Sequence, residues 1–140
     1  MKTRHLTAAV LGCVVAGVTG CSTPEPALGG TTATVTIDGT DTGGEHVVRC
    51  RQSGWAWYIE TPEKENGFTA VLSSEEGMTA KSVELRGLGG FTGTFWADNI
   101  GEGEVTGSDG SYTITGVADG NFADKPLDAT TAKFRIQASC

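Results

Sequence analysis

The residues with the clearest chemical potential lie near the start of the chain, where Val18-Thr19-Gly20-Cys21 follows an apolar run. A cysteine after small residues and a signal-like segment is the group on which bacterial lipoproteins are acylated and cut. The expected product carries a thioether-linked diacylglycerol and an N-acyl lipid on Cys21. We expect no other cofactor.

The residues before Cys21 have the parts of an export signal. Lys2 and Arg4 give a positive start, and Leu6–Val18 is an apolar run of thirteen residues, short of the roughly twenty needed to span a bilayer. We therefore expect residues 1–20 to be a lipoprotein signal peptide that is cleaved. The alternative is an ordinary secretory signal, which would leave Cys21 as an exposed, reactive N-terminal thiol. Because acylation would remove this reactive thiol, the lipoprotein interpretation is favoured.

Signal cleavage and lipidation determine how many cysteines are free to form a disulfide. Of the four cysteines, Cys13 leaves with the signal and Cys21 carries lipid, so Cys50 and Cys140 remain. An exported chain with two remaining cysteines most economically joins them, because its compartment lets the bond persist. We therefore expect a Cys50–Cys140 disulfide. It would constrain the unfolded chain by at most about 4 to 5 kcal/mol.

Length and charge restrict the class of protein. The mature chain, residues 21–140, is long enough for one domain and too short for two ordinary ones. It has eight basic against seventeen acidic residues, a net charge of −9. That balance argues against a nucleic-acid partner and against an anionic membrane surface, so membrane attachment should depend on the acyl chains. The oligomeric state is left open.

The mature chain begins with a polar segment and continues as a β domain. Residues 21–33 are rich in Pro, Gly and Thr, which predicts a flexible tether. Thr23, Thr31 and Thr32 are possible O-glycosylation sites, although a plain spacer is the preferred interpretation. Residues 34–140 are predicted to form an antiparallel β domain.

Short alternating runs of Val, Ile, Thr and aromatic residues, separated by glycine and Asp-Gly signals, predict an all-β fold. Their regular spacing indicates a small antiparallel β-sandwich or barrel-like domain. The clearest hairpin turns at Asp109-Gly110. The predicted strands are Thr34–Asp38, His46–Arg51, Trp55–Thr61, Phe68–Leu72, Lys81–Arg86, Phe91–Ala97, Gly103–Gly107, Ser111–Ala118 and Ala132–Ala138.

The residues of the mature chain give little support for catalytic activity. The mature chain has one histidine, His46, and no Gly-x-Ser-x-Gly element. Asp38 with Asp41, or Asp98 with Glu102 and Glu104, could hold Ca²⁺ weakly, but solvated loop acids are the preferred interpretation. We expect no catalytic residues, no metal site and no enzyme activity.

An aromatic cluster is the remaining candidate site. Trp55 and Trp57 share one face of a predicted strand, and Tyr58 and Trp96 complete the cluster. Trp55, Trp57 and Trp96 form a possible partner surface, because exposed aromatics stack on sugars or enter partner pockets. In so small a domain, core packing of at least two of the tryptophans is the preferred alternative.

The order of several segments also resembles the mycobacterial nineteen-kilodalton lipoprotein antigen family, of the LpqH type. The resemblance covers nearly the whole chain and rests on the Cys21 motif, Val35-Thr-Ile-Asp-Gly39, Val48-Arg-Cys50, Ala70-Val-Leu72, Lys81-Ser-Val83, Asp109-Gly-Ser-Tyr-Thr-Ile-Thr-Gly116 and Lys133-Phe-Arg-Ile136 up to Cys140. It implies lipid on Cys21 and paired Cys50 and Cys140. The tether is poorer in Ser and Thr, and the tryptophan cluster heavier, than the family pattern.

The resemblance implies a lipid-anchored, outward-facing antigen of the cell membrane and envelope. Such a protein is exposed to host pattern-recognition receptors, acts as an adhesin and performs no catalysis. A second function class is an envelope carrier that binds a small apolar ligand or lipid within the β domain. A carrier requires an apolar cavity of about 300 Å³ or more, whereas a display protein can be packed solid.

Overall fold

A computed structural model describes residues 31–140, so the predictions for the signal peptide, Cys21 and Thr23 lie outside the described residues. The described part is all-β. Its ten strands are β1 (Thr32–Ile37), β2 (Thr40–Val47), β3 (Arg49–Ser53), β4 (Ala56–Glu60), β5 (Gly67–Ser73), β6 (Thr79–Leu88), β7 (Phe91–Trp96), β8 (Glu102–Ser108), β9 (Ser111–Phe122) and β10 (Thr130–Ser139).

The strands form one antiparallel sheet that curls until its two edges come together. The order is β2-β1-β10-β9-β7-β6-β5-β4-β3, and β8 pairs with the first part of β9. β2 and β3 stand at opposite ends of this order and yet are separated by Val48 alone. Val48 is buried, and its N–H donates to the carbonyl of Thr31 at 2.9 Å. The predicted barrel-like all-β architecture is confirmed.

Period-two alternation builds the core. In β10, Ala132, Phe134, Ile136 and Ala138 are buried while the residues between them are exposed, because successive side chains of a strand point to opposite faces. Each fully buried large apolar side chain contributes about 1.5 to 3 kcal/mol. The largest fully buried side chains are Phe68, Phe91, Ile59, Leu72, Leu85, Leu88, Ile114, Ile136, Val35, Val48 and Val83.

The expected disulfide joins β3, at one edge of the sheet, to the residue that follows β10, the third strand from the other edge. Cys50 in β3 is bonded to Cys140, with their Cα atoms 5.9 Å apart and a separation of 90 positions in sequence. The Cys140 N–H donates to the carbonyl of Gly110 at 2.6 Å, and Thr32 pairs with Ser139. The disulfide therefore lies at the end of the domain where the chain enters the sheet.

Several strand boundaries differ from the sequence predictions, most clearly in the first part of the domain. The predicted His46–Arg51 strand is divided at Val48, because there the chain leaves one sheet edge for the other. β2 also extends back to Thr40 through a register shift in which Gly43 has a positive φ. The first strand begins at Thr32, two residues before the predicted start of the β domain.

The predicted hairpin between β8 and β9 is present. Ser108 pairs with Ser111, and the two turn residues, Asp109 and Gly110, have φ values of 54° and 85°. Positive φ at both positions is what a tight primed turn requires, and glycine adopts it without steric cost. The turn places Gly110 against Cys140 and so helps to hold the disulfide end.

Removing the disulfide should destabilise the domain substantially. We expect Cys50→Ser and the double variant with Cys140→Ser to lose about 2 to 5 kcal/mol of unfolding free energy, because the unfolded chain regains its loop entropy. Urea unfolding followed by circular dichroism measures this loss. Reduced wild type should match the variants, and equal stability of oxidised wild type and variants would contradict the assignment.

Candidate functional site

The three tryptophans occupy three different environments. Trp57 is half-buried on the inner face of β4, with its ring centroid 6.1 Å from that of Tyr112. Trp55 lies in the turn before β4 and is 64% exposed, while Trp96 ends β7 and is 57% exposed. The expectation that at least two tryptophans fill the core is therefore wrong. Trp55 falls before the strand begins, and Trp96 alternates outward after the buried Phe95.

Strand register places Trp96 in a line of outward-facing side chains. Tyr58 of β4 lies opposite Val71 of β5, Val71 opposite Ser82 of β6, and Ser82 opposite Trp96 of β7. We call these four residues the outer row. The Arg51 guanidinium on β3 stands 4.3 Å from the centroid of the Tyr58 ring. Trp57 faces the other side of the sheet, so it cannot share a continuous surface with Trp96.

A shallow groove of about 360 Å³ lies beside Trp96 on the outer face. Two of its polar side chains contact Arg86, whose guanidinium donates to Thr69 Oγ1 at 3.0 Å and lies 3.5 Å from Glu84 Oε1. The groove is lined by Thr69, Val71, Ser82, Glu84, Thr94 and Trp96, with backbone from Val83. Sequence analysis missed Thr69, Glu84 and Thr94, because only strand register brings them together.

The backbone of Trp96 is fixed by the turn that follows it. The Trp96 N–H donates to the Ile100 carbonyl at 2.7 Å, and the Ile100 N–H donates back at 2.9 Å. The turn closes at Gly101, which has a positive φ of 70°, and an added Cβ there would meet the Val117 carbonyl. The indole is therefore presented from a rigid position.

A second depression, of about 430 Å³, lies over β8, β9 and β10. Exposed charged side chains from β8 and β10 surround it, including Glu102, Glu104 and Lys133. Like the groove beside Trp96, it opens on the outer surface. A ligand in either place would lie against solvent and would not be enclosed by the core.

Two of the acids considered for metal binding, Asp38 and Asp41, accept hydrogen bonds from backbone N–H groups. Asp38 Oδ1 accepts from the Lys133 N–H at 2.9 Å. Asp41 Oδ1 accepts from the N–H groups of Gly44 and Gly43 at 2.7 and 2.8 Å, which lowers the pKa of that carboxyl. Within the described range, no group of three or more His, Cys, Asp and Glu residues is placed to hold a metal ion.

The other predicted positions are spread over the domain. His46 is half-buried, with Nε2 3.5 Å from Thr42 Oγ1. Thr31 and Thr32 are half-buried where the chain enters the sheet, and Thr32 is paired with both Val47 and Ser139. Among residues 31–140, no helix is long and apolar enough to cross a membrane.

Comparisons with known proteins agree on one family. The family model described as "Mycobacterium 19 kDa lipoprotein antigen" matches residues 26–140. A putative lipoprotein of Mycobacterium avium subsp. hominissuis is 34% identical over 100% of this chain and 97% of its own length. The probable lipoprotein LppE of Mycobacterium tuberculosis is 28% identical over 91% and 90%. Lipoprotein LpqH of Mycobacterium avium is 32% identical over 76% and 66%.

The different environments of Trp57 and Trp55 predict unequal effects on stability. Trp57→Ala should cost about 2 kcal/mol of unfolding free energy, because it removes a half-buried ring that packs against the core. Trp55→Ala should stay within about 0.5 kcal/mol of wild type, because its ring is mostly in solvent. Urea unfolding followed by far-ultraviolet circular dichroism compares the two, and equal losses would contradict the placement of these rings.

Proposed function

The chain belongs to the Mycobacterium 19 kDa lipoprotein antigen family, and from that premise we propose that it is a lipid-anchored surface antigen of the cell envelope. It acts without catalysis, in host interaction and adhesion. The observation that carries this proposal is the position of the Val18-Thr19-Gly20-Cys21 motif directly before the region that matches the family, residues 26–140.

Acylation of Cys21 provides the anchor in this proposal. Two or three acyl chains hold a protein at a membrane much more firmly than a single chain, because each buried CH₂ contributes about 0.8 kcal/mol. The chain from Cys21 to Thr31 can span at most roughly 35 Å. The β domain therefore stands close to the membrane, and its acidic surface makes the lipid the main attachment.

The position of the chain entry supports outward display of the domain. Thr31, Cys140 and the disulfide lie together at one end. At the other end, the connection between β9 and β10 includes Leu127, whose side chain is 96% exposed. With the first end tied to lipid, the second end points away from the membrane, and the outer face of the sheet around the domain is free to meet a host surface.

The carrier alternative gains no support from a specific observation. The interior is filled by one continuous cluster of buried apolar residues, as expected for a closely packed core. The two depressions described above open on the outer surface. Display therefore remains the function that we propose.

Metabolic labelling tests the anchor. In mycobacterial cells fed an alkyne fatty acid, wild type should incorporate the label and Cys21→Ala should incorporate none, because the thiol that accepts diacylglycerol is gone. Cys13→Ala is the matched control: it removes a cysteine from the same precursor and should label like wild type. Gel fluorescence after purification reads the result, and full labelling of Cys21→Ala would overturn the proposal.

A receptor assay tests the interaction with the host. Cells that report activation of lipid-sensing pattern-recognition receptors should respond to acylated protein purified from membranes. Alkaline hydrolysis of its ester-linked acyl chains, followed by repurification, should reduce the response at least about tenfold, since the lipid is the recognised group. An undiminished response from the hydrolysed protein would show that the acyl group is not what the receptor binds.

A further inference from the structure

We propose that the groove beside Trp96 binds an uncharged sugar chain, so that the outer row is a glycan-binding surface. The inference deepens the adhesive part of the proposed function and rests on it, because it names the class of ligand that the displayed face would hold. Three features carry it: an exposed aromatic platform, a line of polar groups beside it and a local charge that differs from the acidic charge of the whole chain.

Trp96 supplies the platform. A pyranose ring has a face of C–H groups and an edge of hydroxyls, and the indole ring offers a large, rigid apolar surface for the C–H face. The indole is 57% exposed, while its backbone is held by two hydrogen bonds to Ile100. Binding would therefore cost little ordering of the protein.

Polar groups stand where the hydroxyl edge of a sugar would lie. Strand register places Glu60, Thr69, Glu84 and Thr94 in one line beside the outer row. The Glu84 carboxylate accepts hydrogen bonds, and the hydroxyls of Thr94 and Ser82 donate or accept them. Arg86 donates to Thr69 and borders Glu84, so Thr69 is oriented before a ligand arrives, while the hydroxyls of Ser82 and Thr94 are available to one.

Charge balance selects the ligand class. Arg49 is opposite Glu60 in register, Arg86 is 3.5 Å from Glu84, and Arg51 lies over the Tyr58 ring. Both carboxylates of this face therefore have an arginine beside them, and the face carries a small positive excess although the mature chain has a net charge of −9. By contrast, β2 and β8 carry Asp41, Glu45, Glu102 and Glu104. A cationic partner would be drawn to those strands and away from the arginines of this face, and an anionic partner would be repelled by the domain as a whole, which favours an uncharged ligand at the groove.

The dimensions fit an oligosaccharide. Tyr58 and Trp96 are separated by three strand spacings, about 14 Å, and the floor between them consists of the small side chains of Val71 and Ser82. The groove volume of about 360 Å³ suits one or two sugar units, with the rest of the chain lying along the outer row toward Tyr58.

Glycan-array binding tests the inference on acylated, full-length mature protein purified in detergent. The probes are neutral mannose, glucose and galactose oligosaccharides, with heparin oligosaccharides as anionic and chitosan oligosaccharides as cationic comparators. Wild type should bind neutral probes above both comparators. Trp96→Ala should weaken that binding about tenfold or more, because it removes the central aromatic contact. Glu84→Gln, which keeps the shape of the groove, should weaken it several-fold.

Trp55→Ala is the matched control, since it removes an equally exposed indole away from the groove and should bind within about twofold of wild type. Circular dichroism confirms that each variant is folded. Unchanged binding by Trp96→Ala, binding to charged probes alone, or loss of a dimer in sedimentation of Trp96→Ala without any glycan binding would each overturn the inference. Glycan binding by a preparation whose Cys21 proves to be bare would support the inference and contradict the anchor alone.

Discussion

The Cys50–Cys140 bond is the constraint on which the rest of the domain depends. In the described sheet β2 and β3 are the two edge strands. Val48 links them along the chain, and the disulfide ties β3 to the end of β10, which lies two strands in from β2. The bond closes a loop of 90 positions, which makes it a large term for a domain with a modest core. Because the disulfide lies at the end of the domain where the chain enters the sheet, it also stabilises the part of the domain that a lipid anchor would hold.

Closure of the sheet also determines where function can reside. The side chains of the inner face form the hydrophobic core, in which Phe68, Phe91 and their neighbours are fully buried. Groups that remain available for recognition are therefore those that alternate outward, such as Tyr58 and Trp96, or those in turns. Such a protein presents its functional side chains on the outer face of the curled sheet, where strand register decides which side chains become neighbours. This agrees with a role in display and surface recognition.

Much of the fold was predictable from sequence because its signals are local. Alternation identified the strands, Asp109-Gly110 identified the hairpin, and the cysteine count identified the disulfide. Strand order and the division at Val48 were not predictable, because they depend on which distant strands pair. The candidate site illustrates the same limit. Trp96 could be identified from its residue type alone. Thr69, Glu84 and Thr94 become part of a site only through the register of β5, β6 and β7.

Intact-protein mass spectrometry of the mature chain, purified from mycobacterial membranes without reductant, tests the account most directly. The account predicts a polypeptide that begins at Cys21, carries diacylglycerol and an N-acyl chain on that residue, and becomes heavier by two hydrogens when Cys50 and Cys140 are reduced. A mature chain that begins elsewhere, or whose Cys21 carries no lipid, would contradict the anchor from which the proposed function follows.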